Sequence, residues 1–220
     1  MNTTQPKVPI QFVTDYGVEE SNPGPYPIPP IQVGEDSQLI ILEKDNCRLY
    51  ELLNAQYIEE IGWSAEAGVI FDLKSNALRP DCWTSADGAG LAILPGLVRY
   101  DEVASGKIQH ALRFSVKQTQ RAFIHPATHY ASDFKNPNLP PMGLRWRLKA
   151  NFDTSKYTGH ARVILNALKK YGLIVAENGT SWNIMGTPDR RWNDNELNQL
   201  KRVPGSAFEV VASGAIREKC

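Results

Sequence analysis

The chain has 220 residues, 42% of them hydrophobic, which is enough to build a sizeable core. Its 24 basic and 24 acidic residues cancel, so no global field draws it to nucleic acid or to an anionic membrane, and any electrostatic recognition has to be local. No run approaches the roughly 18 apolar residues of a membrane span. The start MNTTQPKVPI lacks the basic stretch and apolar segment of a secretory signal, so an exported form would be one whose signal has been removed.

Residues 1 to 37 contain NPGPYPIPP, which cannot form a helix or a central strand. Tyr26 and Ile28 between the prolines suggest an extended strap packed on the body. QLIILEKDNCRLYELL then reads as a hairpin turning at Lys44, Asp45 and Asn46, and VIFDL (69 to 73) as a further buried strand. RPDCWTSADGAGLAILPG (79 to 96) is a long loop rich in small residues, the kind of segment that disproportionately carries function. LVRYDEVASG predicts a short helix closed by Gly106.

KIQHALRFSV (107 to 116) reads as a strand with Ile108, His110, Leu112 and Phe114 on one face. His110 on that apolar side is either a buried, hydrogen-bonded imidazole or a desolvated base, should its face open onto a cleft under the preceding loop. GLRWRLKANFD places Arg145, Arg147 and Lys149 on the face opposite Leu144, Trp146 and Leu148. Arg113 would extend that basic stripe if its strand were a neighbour. GHARVILNALKKYG is an amphipathic helix ended by Gly172, and LIVAENGTSWNIMG suggests a hairpin about Asn178-Gly179. A polar helix in NDNELNQLKRV and a last strand FEVVAS complete a chain dominated by strands. The expected fold is mostly β, a β-sandwich or jelly roll with a few decorating helices; an α+β sheet is the alternative. A single domain would span 38 to 212, followed by a polar tail over 213 to 220.

No P-loop, GxGxxG after a strand, HExxH, CxxC or GxSxG occurs, and no cofactor is implied. Cys47, Cys82 and Cys220 are too few for a disulfide scaffold; one Cys47–Cys82 bridge could form in an exported protein, leaving Cys220 free on a disordered tail. The basic stripe is either a solvated face interleaved with carboxylates or a groove for carboxylate or sulfate groups. Trp83, Tyr100, Trp182 and Trp192 lie in or near irregular segments, where flat rings can hold sugars. His125 and His129 frame HPATH; their spacing would suit a metal only on a helix, which Pro126 opposes, and no third ligand is indicated. His129 remains an acid/base candidate. Asp87, Asp101, Glu102, Glu177 and Asp189 supply carboxylates in or beside loops.

The run SADGAGLAILPGLVRYDEVASGKIQHALRFSV, with PATH, PPMGLRWRLKANFD and ARVILNALKKYGLIVAENG, resembles a largely uncharacterised family of bacterial secreted proteins, sometimes joined to carbohydrate-binding modules. The resemblance spans residues 9 to 211. It implies export to the extracellular space or periplasm and a polysaccharide context, and it carries over no catalytic residues. Together these observations lead to three expectations. The first is a monomeric enzyme cleaving a polysaccharide or oligosaccharide by hydrolysis or β-elimination, with His110, Asp87, Asp101 and His129 catalytic and Arg99, Tyr100, Trp83, Arg145, Arg147, Lys149, Glu177 and Trp182 binding substrate. The second is a non-catalytic carbohydrate-binding or surface-interaction module. The third is a metal-dependent oxidative enzyme built on His125 and His129.

Overall fold

The computed structural model describes residues 5–29 and 38–220. The chain is mostly β with decorating helices, and the described residues form three sheets. Where the sequence suggests one domain over 38 to 212, contacts divide the chain into two compact units: Met1–Leu94 with Pro126–Tyr130 and Lys219–Cys220, and Pro95–His125 with Ala131–Glu218. Part of the expected 1–37 strap, residues 1–4 and 30–37, lies outside the described residues.

The first unit contains β1 (Gln11–Phe12), α1 (Asp15–Glu20), β2 (Leu39–Glu43), β3 (Arg48–Leu53), β4 (Gln56–Ile58), β5 (Gly62–Ala65) and β6 (Ala67–Asp72). They form two three-stranded sheets, ordered β1-β5-β4 and β2-β3-β6. The β2–β3 hairpin forms as its sequence suggests, with Leu39 opposite Leu52 and Glu43 opposite Arg48. Tyr26 and Ile28 of the proline segment are buried against Leu39, Ile41, Tyr50 and Leu52, so this stretch is part of a core. Burying such side chains is worth about 1.5–3 kcal/mol each.

The second unit contains α2 (Tyr100–Ala104), β7 (Leu112–Val116), β8 (Arg145–Leu148), α3 (Gly159–Lys170), β9 (Leu173–Asn178), β10 (Asn183–Ile184), α4 (Asp194–Leu197) and β11 (Phe208–Val210). Its five-stranded sheet runs β10-β7-β9-β8-β11. Helix α3 buries Ala161, Ile164, Leu165, Ala167 and Leu168, the stripe its 3.6-residue period defines, and carries Lys169 and Lys170 in its last turn, where cations suit the helix dipole. Gly172 follows with φ +77°, the left-handed conformation that ends helices.

Three local expectations change. The hairpin about Asn178-Gly179 does not form: neither residue adopts the positive φ a tight primed turn requires, and β7 lies between β9 and β10, parallel to the first and antiparallel to the second. The strand expected over 107 to 116 begins only at Leu112, and all five of its residues are buried, so Arg113 and Ser115 do not face solvent. His110 therefore stands at a bend before the strand and not on its apolar face. Arg113 does not extend the basic stripe, because β9 separates β7 from β8; it is 4% exposed and Nη1 donates to Met185 Sδ at 3.0 Å.

The cysteine pairing also differs. Cys82 bridges Cys220, with Cα atoms 5.1 Å apart, and Cys47 is the free thiol. The tail read as disordered is held at Arg217, whose backbone pairs with that of Phe123. Cys47 sits in the β2–β3 turn with φ 52°. No helix among the described residues is long and apolar enough to cross a membrane.

Candidate functional site

Ionisable and aromatic side chains concentrate in the second unit around α2. Arg99 precedes the helix, Tyr100, Asp101 and Glu102 form its first turn, and Gly106, with φ +84°, lets the chain reverse so that His110 returns to the helix. One carboxylate oxygen of Glu102 accepts from Arg99 Nη2 at 2.5 Å, and the other lies 3.1 Å from His110 Nε2. Arg99 Nη2 also lies 3.4 Å from Nε2, and His110 Nδ1 lies 2.9 Å from Ala111 O.

This arrangement accommodates two forms of the ring. With protons on both nitrogens, His110 donates to Ala111 O and to Glu102 together. With a proton on Nδ1 alone, it still donates to Ala111 O and offers Nε2 to the Arg99 N–H. The Arg99, Glu102 and His110 side chains keep 33%, 26% and 21% exposure, so the cluster can be reached from solvent.

A second group adjoins on the same helix. Arg191 Nη2 lies 2.9 Å from Asp101 Oδ1 and 2.6 Å from Asp189 Oδ2, and its guanidinium sits 4.1 Å from the Tyr100 ring centre, a cation–π placement. The hydrogen bonds from Arg191 hold the Asp189 carboxyl at about 2, far below the usual carboxylate range, so it stays an anion near neutrality. Tyr100 meets Trp192 and His160 edge to face at 5.0 and 5.4 Å. The Trp192 indole donates to Thr187 O at 2.9 Å, which fixes its orientation. His160 lies in the first turn of α3; its backbone N–H donates to Glu196 Oε2 at 2.8 Å, and the same oxygen lies 3.3 Å from Nδ1, close enough for attraction although that nitrogen forms no hydrogen bond.

The remaining residues named from the sequence lie elsewhere. Asp87, in the first unit, is 3% exposed, and its Oδ1 accepts from Ser85 Oγ and from the backbone N–H groups of Ala89 and Leu91, ordering its own loop. His129 Nδ1 lies 3.1 Å from Gly88 O, and Arg79 stacks over Trp83 at 5.4 Å, both in that unit. In the second unit, Glu177 lies opposite Ser115, its Oε1 accepting the Asn178 N–H. Trp182 packs against Trp146 at 4.9 Å and Phe208 at 5.2 Å, beside an apolar cavity of about 530 Å³ lined also by Leu165, Leu168 and Leu200.

The basic stripe divides. Arg147 faces Glu209 of the neighbouring strand and bonds it at 2.6 Å, the interleaved arrangement; Arg145 is half-buried opposite Ile174. Lys149, at the end, opens onto a separate cavity. His125 stacks on Phe123, and among the described residues no group of three His, Cys, Asp or Glu side chains is placed to hold a metal ion.

Of the residues named from the sequence for one site, Arg99, Tyr100, Asp101 and His110 lie on or beside α2, whereas Asp87, His129 and Trp83 belong to the first unit. Arg191, His160 and Glu196 carried no signal, because each reaches the cluster through tertiary packing from a different element. Comparison with protein families, with curated proteins and with solved structures finds nothing that matches the chain.

Proposed function

We propose that the chain is an extracellular carbohydrate-active enzyme, of the bacterial secreted kind its sequence resembles, whose second unit cleaves polysaccharide at the Arg99–Glu102–His110 cluster. The observation that carries this reading is that His110 has hydrogen-bond partners both with and without a proton on Nε2. A ring poised in that way can give up a proton and take one back without a collapse of its surroundings.

In hydrolysis, the cluster gives a proton to the glycosidic oxygen as its bond to the anomeric carbon breaks, a water oxygen bonds to that carbon, and the proton the water sheds returns to the cluster. In elimination, it takes the proton from the carbon next to a uronate carboxylate, a carbon–carbon double bond forms as the bond to the leaving oxygen breaks, and that oxygen takes up a proton from the cluster. Arg99 serves either course by holding negative charge. The half-buried Trp192 offers ring surface for sugar C–H faces, with Arg191, stacked on Tyr100, and Asp101 at the polar rim. The Cys82–Cys220 bridge suits an oxidising compartment, which supports export.

Incubation with a panel of neutral and acidic polysaccharides should release reducing ends or unsaturated uronate. Glu102→Gln and His110→Ala should each lower turnover by about 10²- to 10⁴-fold with the fold intact. Undiminished turnover in either variant would sink the assignment. The engagement of both Glu102 oxygens favours a second reading, binding without reaction; retardation in polysaccharide gels with no product from any polymer would establish it.

A further inference from the structure

A cavity of about 430 Å³ in the second unit gathers Lys149, Lys156 and Arg202 around Asp153, Phe152 and Tyr157. Three cations face one carboxylate there, a surplus of two positive charges. Asp153 is itself occupied, accepting the Ser155 backbone N–H at 2.8 Å. Among the described residues, none of the three cations makes an ion pair within 4.0 Å; the Lys149 ammonium donates only to the uncharged carbonyl of Ser206, at 2.9 Å. Two residues earlier, Arg147 has Glu209 directly opposite, so the strand pair neutralises its cation there, while among the described residues no carboxylate pairs with Lys149 within 4.0 Å. Like charges drawn into one concavity repel, and an external anion relieves that repulsion.

Ring surface accompanies the charge. Phe152 and Tyr157 line the same cavity and pack on each other at 5.9 Å, tilted by 37°, with Tyr157 nearly buried and Phe152 half-buried, so Phe152 supplies the accessible ring surface. A sugar ring bearing an acidic group matches both parts. Tyr157 is followed three positions later by His160, which packs on Tyr100 and Trp192, so the backbone positions of Tyr157 and His160 are at most about 11 Å apart.

We propose that the Lys149–Lys156–Arg202 cavity binds the anionic groups of an acidic polysaccharide, so that the ligand carries uronate carboxylates or sulfate esters. This inference rests on the carbohydrate reading above and assigns its substrate class. Binding is measured by calorimetry and by gel retardation with polygalacturonate, dextran sulfate and neutral dextran. The native chain should bind at least one of the two acidic polymers and not dextran, and which of them it binds identifies the charged group. Lys149→Ala/Lys156→Ala/Arg202→Ala should bind at least about tenfold more weakly. Lys44→Ala/Lys74→Ala/Lys117→Ala removes the same charge from other exposed positions and should leave affinity unchanged. Should the first triple variant fail to fold, Lys156→Glu alone on its exposed side chain gives the same comparison.

The proposal is overturned if neither acidic polymer binds, if dextran binds as well as they do, or if the two triple variants weaken binding equally. Specific acidic-polymer binding without cleavage keeps this site and removes the catalytic reading. Cleavage of a neutral glucan without acidic-polymer binding does the reverse.

Discussion

At the scale of single residues, the first unit buries an ionised network that sets its pH response. Glu43 is 1% exposed; its Oε2 accepts from Tyr50 Oη at 3.1 Å and lies 3.6 Å from Lys7 Nζ, which donates to Tyr50 Oη at 2.8 Å. Burial alone would raise the Glu43 carboxyl, but the Tyr50 hydroxyl and the Lys7 charge outweigh it and hold it below its ordinary value of 4.5. The Tyr50 hydrogen bond chiefly raises Lys7 above its ordinary 10.5. A depressed acid stabilises the fold above its unfolded-state value and loses that contribution as pH falls through the folded one. A raised base stabilises below its unfolded-state value and loses the contribution as pH rises through the folded one. The network therefore contributes fully between those limits. Glu43→Gln should cost roughly 1–3 kcal/mol near neutrality, with the difference shrinking in acid, as thermal melts of both proteins across pH would show. A cost that stayed constant down to pH 3 would contradict this account. Of these partners the sequence displays only the types: a glutamate in an apolar strand looks like an edge residue until Tyr50 and Lys7 are brought to it. Arg99 and His110 are the reverse case. Their nearness follows from a short helix and a Gly106 turn, both visible in the sequence, whereas the pairing with Glu102 depends on which side of that helix His110 meets.

Among the elements, α3 is the one whose residues agree at every level, and Gly172 decides how it ends. A Cβ there would run into the Trp146 carbonyl, and φ +77° is unfavourable for any other residue. Gly172→Ala should destabilise the protein by about 1–3 kcal/mol, measurable as a lowered urea midpoint with an unchanged slope; an unaltered midpoint would show that α3 can end another way. Helix α3, the β2–β3 hairpin and the strand at 145 to 148 were legible because their periodicity and end signals concern neighbours in sequence. The Asn178-Gly179 turn was misleading for the opposite reason. Its local signal is strong, but β7 takes the place between the two strands, and tertiary pairing overrides the turn preference. Strand β7 was misread by the same logic, since alternation marks a half-buried strand and β7 is covered on both faces.

For the molecule as a whole, the Cys82–Cys220 bridge is the longest-range covalent constraint, spanning 138 positions. Restricting so long a loop in the unfolded chain is worth about 5 kcal/mol by the entropic account, and less where the unfolded chain keeps structure. Cys220→Ser should lower the melting temperature by roughly 5–15 °C, and reductant should do the same to the native protein while leaving the variant unmoved. An equal response of both proteins to reductant would place the effect elsewhere. Sequence arithmetic offered Cys47 for this pairing because it cannot see that the tail is captured at Phe123 before it reaches Cys82. The division into two units was equally hidden, since the first is assembled from three separate stretches of chain.

That same bridge sets how the chain carries mechanical load. Every residue of the second unit lies between Cys82 and Cys220 in sequence. Tension applied across the two termini passes from residue 1 to Cys82, crosses the sulfur–sulfur bond and leaves at Cys220, so α2, the α2 cluster and the cationic cavity are off the force path. Under tension only the first 82 residues can pay out, roughly 280 Å of extended chain. A chain pulled between residue 1 and Cys220 would then yield through its first unit while the second, with the candidate chemistry, stayed folded.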